Sequence, residues 1–195
     1  MITIGLVGSI GSGKDTAAHY IIQNYSFTMF TFSYDGLGDI LKKSGLELNR
    51  ENLQRLGQEI RAREGNAIVA KLLWAKIHAR KEEKVIINGF RYPEELTFFK
   101  ENSTEFVLIG VDCPLPVRYE RVRRRNTKES KAMTLDQFKA YERAATELNI
   151  PILLNSADYI VINDSDLNTL YRRIDAILVD VINVNNYIGV NPCLK

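Results

Sequence analysis

The run Gly8-Ser9-Ile10-Gly11-Ser12-Gly13-Lys14-Asp15-Thr16 constrains this chain more than any other stretch, because it has the spacing Gly-x-x-x-x-Gly-Lys of a phosphate-binding loop. The apolar run Ile2 to Val7 leads into it and a helix most naturally starts near Lys14, so the glycines fall between a strand and a helix, as the motif requires. The backbone N–H groups of Gly11, Ser12, Gly13, Lys14, Asp15 and Thr16 can then converge on phosphate oxygens at the positive end of that helix. Gly8 opens the loop, and the Lys14 ammonium would reach the outer phosphates as a point charge. Asp15 stands where a Ser or Thr hydroxyl normally meets magnesium. Its carboxylate adds a negative charge that Mg²⁺ can offset, since this ion prefers oxygen ligands, and Thr16 can assist.

Five short runs rich in β-branched or aromatic residues predict strands at Ile2 to Val7, Phe27 to Phe32, Lys84 to Asn88, Glu105 to Asp112 and Asp158 to Asn163. Segments of helical period lie between them, the rhythm of an α/β chain whose parallel sheet is covered on both faces. Pro93 with Glu94 and Glu95 reads as a first helical turn. Thr134 with Gln137 has the capping-box pattern, and Asn49 and Asn66 are candidate N-caps. Strands two and three are about fifty residues apart, more than a simple crossover requires, so something extra is built there. After the fourth strand, a basic stretch reads as a helix, a mobile loop and a further helix. The Asn-rich end from Asn183 has no evident place and is expected to fray.

A chain of 195 residues, 45% hydrophobic and 26% charged, is expected to form one domain over 1–195. With a net charge of only +2, nothing in the bulk electrostatics calls for a nucleic acid or a membrane surface, whereas small anionic ligands remain suitable. The two cysteines, Cys113 and Cys193, form no CxxC, so neither a disulfide framework nor a zinc site is indicated and a reducing cytoplasm is expected. The apolar runs fall short of the roughly 20 residues needed to span a bilayer. His19 and His78 lack metal-ligand company, and Trp74 reads as core packing. Nothing in the sequence assigns an oligomeric state.

With these residues in place, the chain resembles the P-loop kinases of small nucleotides, especially dephospho-CoA kinases and related kinase-like domains. "GKDT" is similar to the loop of phage deoxynucleoside monophosphate kinases, in which an aspartate also follows the lysine. "VRYERVRRRN" resembles the dephospho-CoA kinase pattern Gln-x-x-Arg-x-x-x-Arg-Asp, with Arg121 and Arg125 retained, Arg118 replacing the glutamine and Asn126 the aspartate. "ADYIVINDSDLNTL" resembles the late segment that flanks the adenine of ATP, which implies nucleotide contact at Asn163. "SYDGLGDIL" is similar to the segment after strand two, placing Asp35, or in a rival alignment Asp39, at the catalytic aspartate. "VIINGFR" resembles the strand-three element Asp-Gly-x-Arg, with Asn88 in place of the aspartate and Arg91 retained.

The resemblance implies a three-layer P-loop NTPase fold, strand order 2-3-1-4-5, an acceptor-binding region at about 34–83 and a lid at about 118–146. It implies ATP and Mg²⁺ as cofactors and a small nucleotide-type acceptor, either dephospho-CoA or a (deoxy)nucleoside monophosphate. Catalysis would fall to Lys14, Asp35, Arg121 and Arg125, since phosphoryl transfer needs positioning and charge neutralisation more than covalent help. Acceptor binding would fall to Asp39, Arg61, Arg91 and Arg143, guanidinium groups being suited to bidentate phosphate contacts. Two rivals remain. A GTPase switch is suggested by "DGLG" at Asp35, yet that pattern follows strand two and no Asn-Lys-x-Asp occurs in the chain. A non-catalytic nucleotide-binding sensor or NTPase is suggested by Asp15 and Asn88.

Overall fold

A computed structural model describes residues 1–125 and 133–188, with residues 183–188 described by backbone alone. The expected mobile loop of the lid falls largely on 126–132, and the end of the tail, with Cys193, falls beyond Ile188; both lie outside the described residues.

Five parallel strands form one sheet: β1 (Ile2–Val7), β2 (Thr28–Thr31), β3 (Lys84–Asn88), β4 (Glu105–Asp112) and β5 (Tyr159–Ile162). Their spatial order is 2-3-1-4-5. Side chains alternate across the sheet, so each strand feeds two cores. Ile4, Leu6, Ile86, Ile109 and Val111 pack under α1 (Lys14–Tyr25) and α9 (Leu167–Ile188), against Ala17, Ala18, Ile21, Leu170, Ile174 and Leu178. On the other face Val7, Phe30, Val85, Ile87 and Leu108 meet the helices that follow β2 and β3. Two covered faces explain why these strands are continuous apolar runs.

The long connection after β2 is a π-helical turn (Phe32–Leu37) followed by α2 (Gly38–Lys43), α3 (Arg50–Glu64) and α4 (Ile68–Arg80). Asn49 caps α3 by accepting from the Asn52 N–H at 2.9 Å. Asn66 does not cap α4; Ala67 holds that position and the Asn66 amide donates to Glu94 at 3.0 Å, because a short polar side chain takes whichever partner is nearer. Trp74 packs edge-on against Phe98 and Phe99 in this core. α5 (Pro93–Asn102) begins at the expected proline, and α6 (Leu115–Arg123) follows β4. Then come α7 (Leu135–Glu142), opened by the reciprocal Thr134–Gln137 capping box, and α8 (Ile150–Asn155). The Asn-rich segment continues the backbone of α9 as far as Ile188 instead of fraying at its start. Among the described residues, no helix is long and apolar enough to cross a membrane.

β1 lies between β3 and β4, where the connections diverge to opposite sides of the sheet. In open α/β sheets ligands settle outside the carboxyl ends of the strands at such a point. The glycine-rich loop leaves β1 there.

Candidate phosphate-binding site

The loop owes its shape to backbone positions that only glycine takes without strain. Gly11 and Gly13 have φ of 80° and 94°, in the left-handed region. A Cβ on Gly13 would also lie 2.1 Å from Asn163 Nδ2. The next residue, Lys14, is the first of α1, so the loop delivers its N–H groups to the positive end of that helix.

A cavity of about 540 Å³ opens in front of the loop. Gly8, Gly11, Gly13, Lys14, Asp15 and Thr16 line one wall. Arg50, Gln54, Gln58 and Arg61 from α3 line the opposite wall, joined by Asn88, Arg91, Tyr92, Arg125, Tyr141 and Glu147. Ser12 is a loop residue but is itself buried, with its carbonyl turned away to the brace described below.

Lys14, Asp15 and Asn88 form a closed ring. Lys14 Nζ donates to Asp15 Oδ1 at 2.6 Å and to Asn88 Oδ1 at 2.7 Å, and Asn88 Nδ2 donates to Asp15 Oδ1 at 2.9 Å. Burial pulls the Lys14 ammonium below its ordinary pKa against the opposing pull of Asp15. Partial desolvation works to raise Asp15, but Lys14, Asn88 and Arg125 outweigh it and hold the carboxyl below its ordinary value. The Asp15 side chain stays two-thirds exposed, so it can turn towards a ligand at small cost.

Arg61 and Arg91 reach the cavity already paired. Arg61 donates to Glu95 Oε1 at 2.9 Å and lies over the Tyr92 ring at 4.5 Å; Arg91 sits 3.3 Å from Glu147 Oε1. Glu95 is fully buried and also accepts from the Arg91 and Tyr92 N–H groups at 3.0 and 3.3 Å, tying α5 to the loop after β3. Burial raises its carboxyl above the ordinary glutamate value despite Arg61. Arg50 of α3 donates to the Tyr141 hydroxyl of α7 at 2.7 Å, linking the two sides of the cavity mouth.

Other expected site residues lie elsewhere. Asp35 does not line the cavity, because its Oδ2 accepts from the Thr31 N–H at 2.8 Å and from the Thr31 hydroxyl at 3.1 Å. Asp39 is on the surface of α2, paired with Lys76 Nζ at 2.9 Å. Arg143 is exposed at the end of α7. Arg121 sits behind the loop, donating to the Asn163 carbonyl at 3.0 Å and to Asn163 Oδ1 at 3.3 Å. Asn163, 4% exposed, donates from Nδ2 to the Ser12 carbonyl at 2.7 Å, so it braces the loop from the side away from the cavity. A second concavity, of about 420 Å³, opens beside Arg121, with Pro116, Asp164 and Ser165 on its rim. Arg118, which replaces the family's glutamine, is buried: it donates to the Cys113 carbonyl at 2.8 Å, reaches the loop at the Ile10 carbonyl at 3.4 Å and pairs with Glu142 of α7.

Arg50, Gln54, Gln58 and Glu147 line the cavity without having been expected there. The first three recur, with Arg61, along one face of α3 at helical spacing, a polar stripe that the pattern could have revealed. Glu147 carries no such signal.

Loop, sheet order and cavity together define a P-loop domain with the topology of the small-molecule kinases. A family profile described as "AAA domain" matches residues 4–149. The UPF0200 protein of Sulfurisphaera tokodaii is 31% identical over 179 residues, covering 92% of this chain and 97% of that one. The chain thus belongs to the AAA domain family and, among its full-length relatives, to the UPF0200 proteins. A UPF0200/UPF0201 protein of Archaeoglobus fulgidus is 30% identical over 92% of this chain, which spans only 55% of that longer relative. Among solved structures, a shikimate kinase from Bacteroides thetaiotaomicron shares the fold with a TM-score of 0.58 at 17% identity, over 92% of this chain and 98% of that one.

Proposed function

We propose that the chain is an ATP-dependent phosphotransferase acting on a small nucleotide-type acceptor, dephospho-CoA or a (deoxy)nucleoside monophosphate. One observation carries the reading: the phosphate cradle opens directly onto a walled cavity whose far side is a polar helix face, so one enclosed space suits a donor phosphate and an acceptor together. A sensor would need only the cradle.

In this reading the loop N–H groups hold the donor phosphates, and Lys14 exchanges Asp15 for a phosphate oxygen. Arg125, at the cavity edge, neutralises charge on the transferring group, and closing of the region around 118–146 keeps water out. The adenine takes the second concavity, against the 157–170 segment that resembles the adenine-flanking element. Arg121 and Asn163 act through the loop and this concavity. The region around 34–83 presents the acceptor wall.

The donor set suits magnesium held through the nucleotide. Asp15 and Thr16 are hard oxygen donors at the loop, and the described residues contain no group of three or more His, Cys, Asp or Glu able to hold a metal. When bound, the ion would neutralise the β- and γ-phosphate oxygens.

A coupled ADP-release assay over dephospho-CoA and a panel of monophosphates tests the proposal. ADP release that depends on one acceptor is the expected result. ATP that binds without acceptor-dependent turnover would instead favour the non-catalytic sensor or simple NTPase, the reading encouraged by the self-paired Lys14–Asp15–Asn88 ring.

A further inference from the structure

The acidic groups of the cavity divide unequally. Among the described residues lining it, the carboxylates are Asp15 and Glu147. Asp15 belongs to the donor side through its ring with Lys14 and Asn88. Asp35 and Asp39 are engaged elsewhere, by Thr31 and by Lys76. On the acceptor side, Glu147 stands alone.

Glu147 lies in the connection between α7 and α8, held by its own N–H donating to the Ala144 carbonyl at 2.8 Å. The residue is 7% exposed. Its carboxylate meets Arg91 at 3.3 Å, and among the described residues no backbone N–H or hydroxyl donates to it. Glu95 is the contrast: fully buried and outside the cavity lining, it accepts from two backbone N–H groups and from Arg61. One buried glutamate is spent on structure and the other keeps open lone pairs towards the cavity.

We propose that Glu147 is the acceptor-side proton acceptor of this site and that the group it serves is a hydroxyl, not a phosphate; this rests on the phosphotransferase reading above. Two features count against a phosphate dianion next to Glu147. Arg91 is already neutralised by Glu147 itself at 3.3 Å and Arg61 by Glu95 at 2.9 Å, and of Arg50, Arg61 and Arg91 only Arg50, bonded to the Tyr141 hydroxyl, has no carboxylate partner among the described residues. A hydroxyl brings no charge and donates the hydrogen bond that Glu147 lacks. The charged groups facing Glu147 are Arg91 from the loop after β3, Lys14 of α1, Arg50 of α3 and Glu142 of α7. Burial raises its carboxyl above the ordinary glutamate value, against Arg91 and Lys14, which makes it a stronger proton acceptor than an exposed glutamate. In the step, the acceptor oxygen bonds to the γ-phosphorus while its proton passes to Glu147. The bond from the γ-phosphorus to the β–γ bridging oxygen breaks, and ADP leaves with that electron pair.

Phosphorus NMR with Mg·ATP separates the possibilities, using dephospho-CoA, free nucleosides and nucleoside monophosphates as probes. A new phosphomonoester is expected, the product of a hydroxyl. Glu147→Gln should lower kcat by about a hundredfold with the acceptor KM little changed. It should also remove the acid limb of the wild-type pH profile, which lies above the ordinary glutamate range, while Glu147→Asp restores part of the rate. Unchanged affinity of Glu147→Gln for a fluorescent ADP would show the loop intact. A phosphoanhydride product would overturn the hydroxyl assignment and leave the phosphotransferase reading standing. Wild-type turnover by Glu147→Gln would overturn the role of Glu147. ATP bound but transferred to none of the probes would overturn both the inference and the reading it rests on.

Discussion

Replacing Asn163 by alanine asks whether this residue touches the nucleotide or supports the loop that does. The side chain is buried, donates to the Ser12 carbonyl at 2.7 Å and accepts from Arg121 at 3.3 Å. Alanine removes two hydrogen bonds worth about 1 kcal/mol each and leaves the Ser12 carbonyl with only the long 3.5 Å bond from Arg121, for a total loss of about 2–3 kcal/mol. With a urea m-value of about 2–3 kcal/mol/M for a chain of this size, the midpoint should fall by about 1 M. The loop would then hold its φ-positive glycines less firmly, so ADP affinity should fall by less than the stability does. Urea titration followed by circular dichroism, together with fluorescent-ADP titration, reads both quantities. A large loss of ADP affinity with an unmoved urea midpoint would refute the bracing role and restore direct contact.

Two other substitutions probe charges near the cavity. Asp15→Ser removes the carboxylate that opposes phosphate, so the ratio of ADP affinities with magnesium and with EDTA should shrink several-fold; an equal ratio in variant and wild type would count against Asp15 as a metal-side group. Glu95→Gln leaves Arg61 without its ionic partner in a buried setting and should cost about 3 kcal/mol in a urea melt. The Glu95 carboxyl is raised in the folded state, so the native protein binds more protons than the unfolded chain between the ordinary and the raised value, and stability falls as pH rises through that window. The variant should lose that part of the slope, and an identical slope would contradict the assignment.

The frame was legible because burial on both faces leaves a plain mark in sequence. β1, β3 and β4 coincide with their apolar runs. β2 and β5 are each shorter by one residue at both ends, since Phe32 starts the π-helical turn and Asn163 leaves the sheet to clasp Ser12. The phosphate loop was legible for a different reason: its function lies in backbone positions, and glycine spacing records those directly. Side-chain destinations were not. Asp35 has the look of a free carboxylate in sequence, but the Thr31 N–H four residues earlier captures it, the local competition to which short acidic side chains are prone. Arg121 belongs by its motif on the cavity side of the loop, yet the carbonyls of Asn163 and Ser165 draw its guanidinium behind it. The pairing of Arg91 with Glu147 joins distant parts of the chain and follows no periodicity, so only the folded chain reveals it.

The central claim is that a polyphosphate occupies the turn between β1 and α1. A crystal of the protein with magnesium and a non-hydrolysable ATP analogue tests it most directly. The β-phosphate should lie against the N–H groups of 11 and 13–16, the Ser12 N–H being held by the Ser9 carbonyl at 3.0 Å, with Lys14 Nζ moved from Asp15 to a phosphate oxygen. Analogue density elsewhere, over an unchanged Lys14–Asp15–Asn88 ring, would contradict the account.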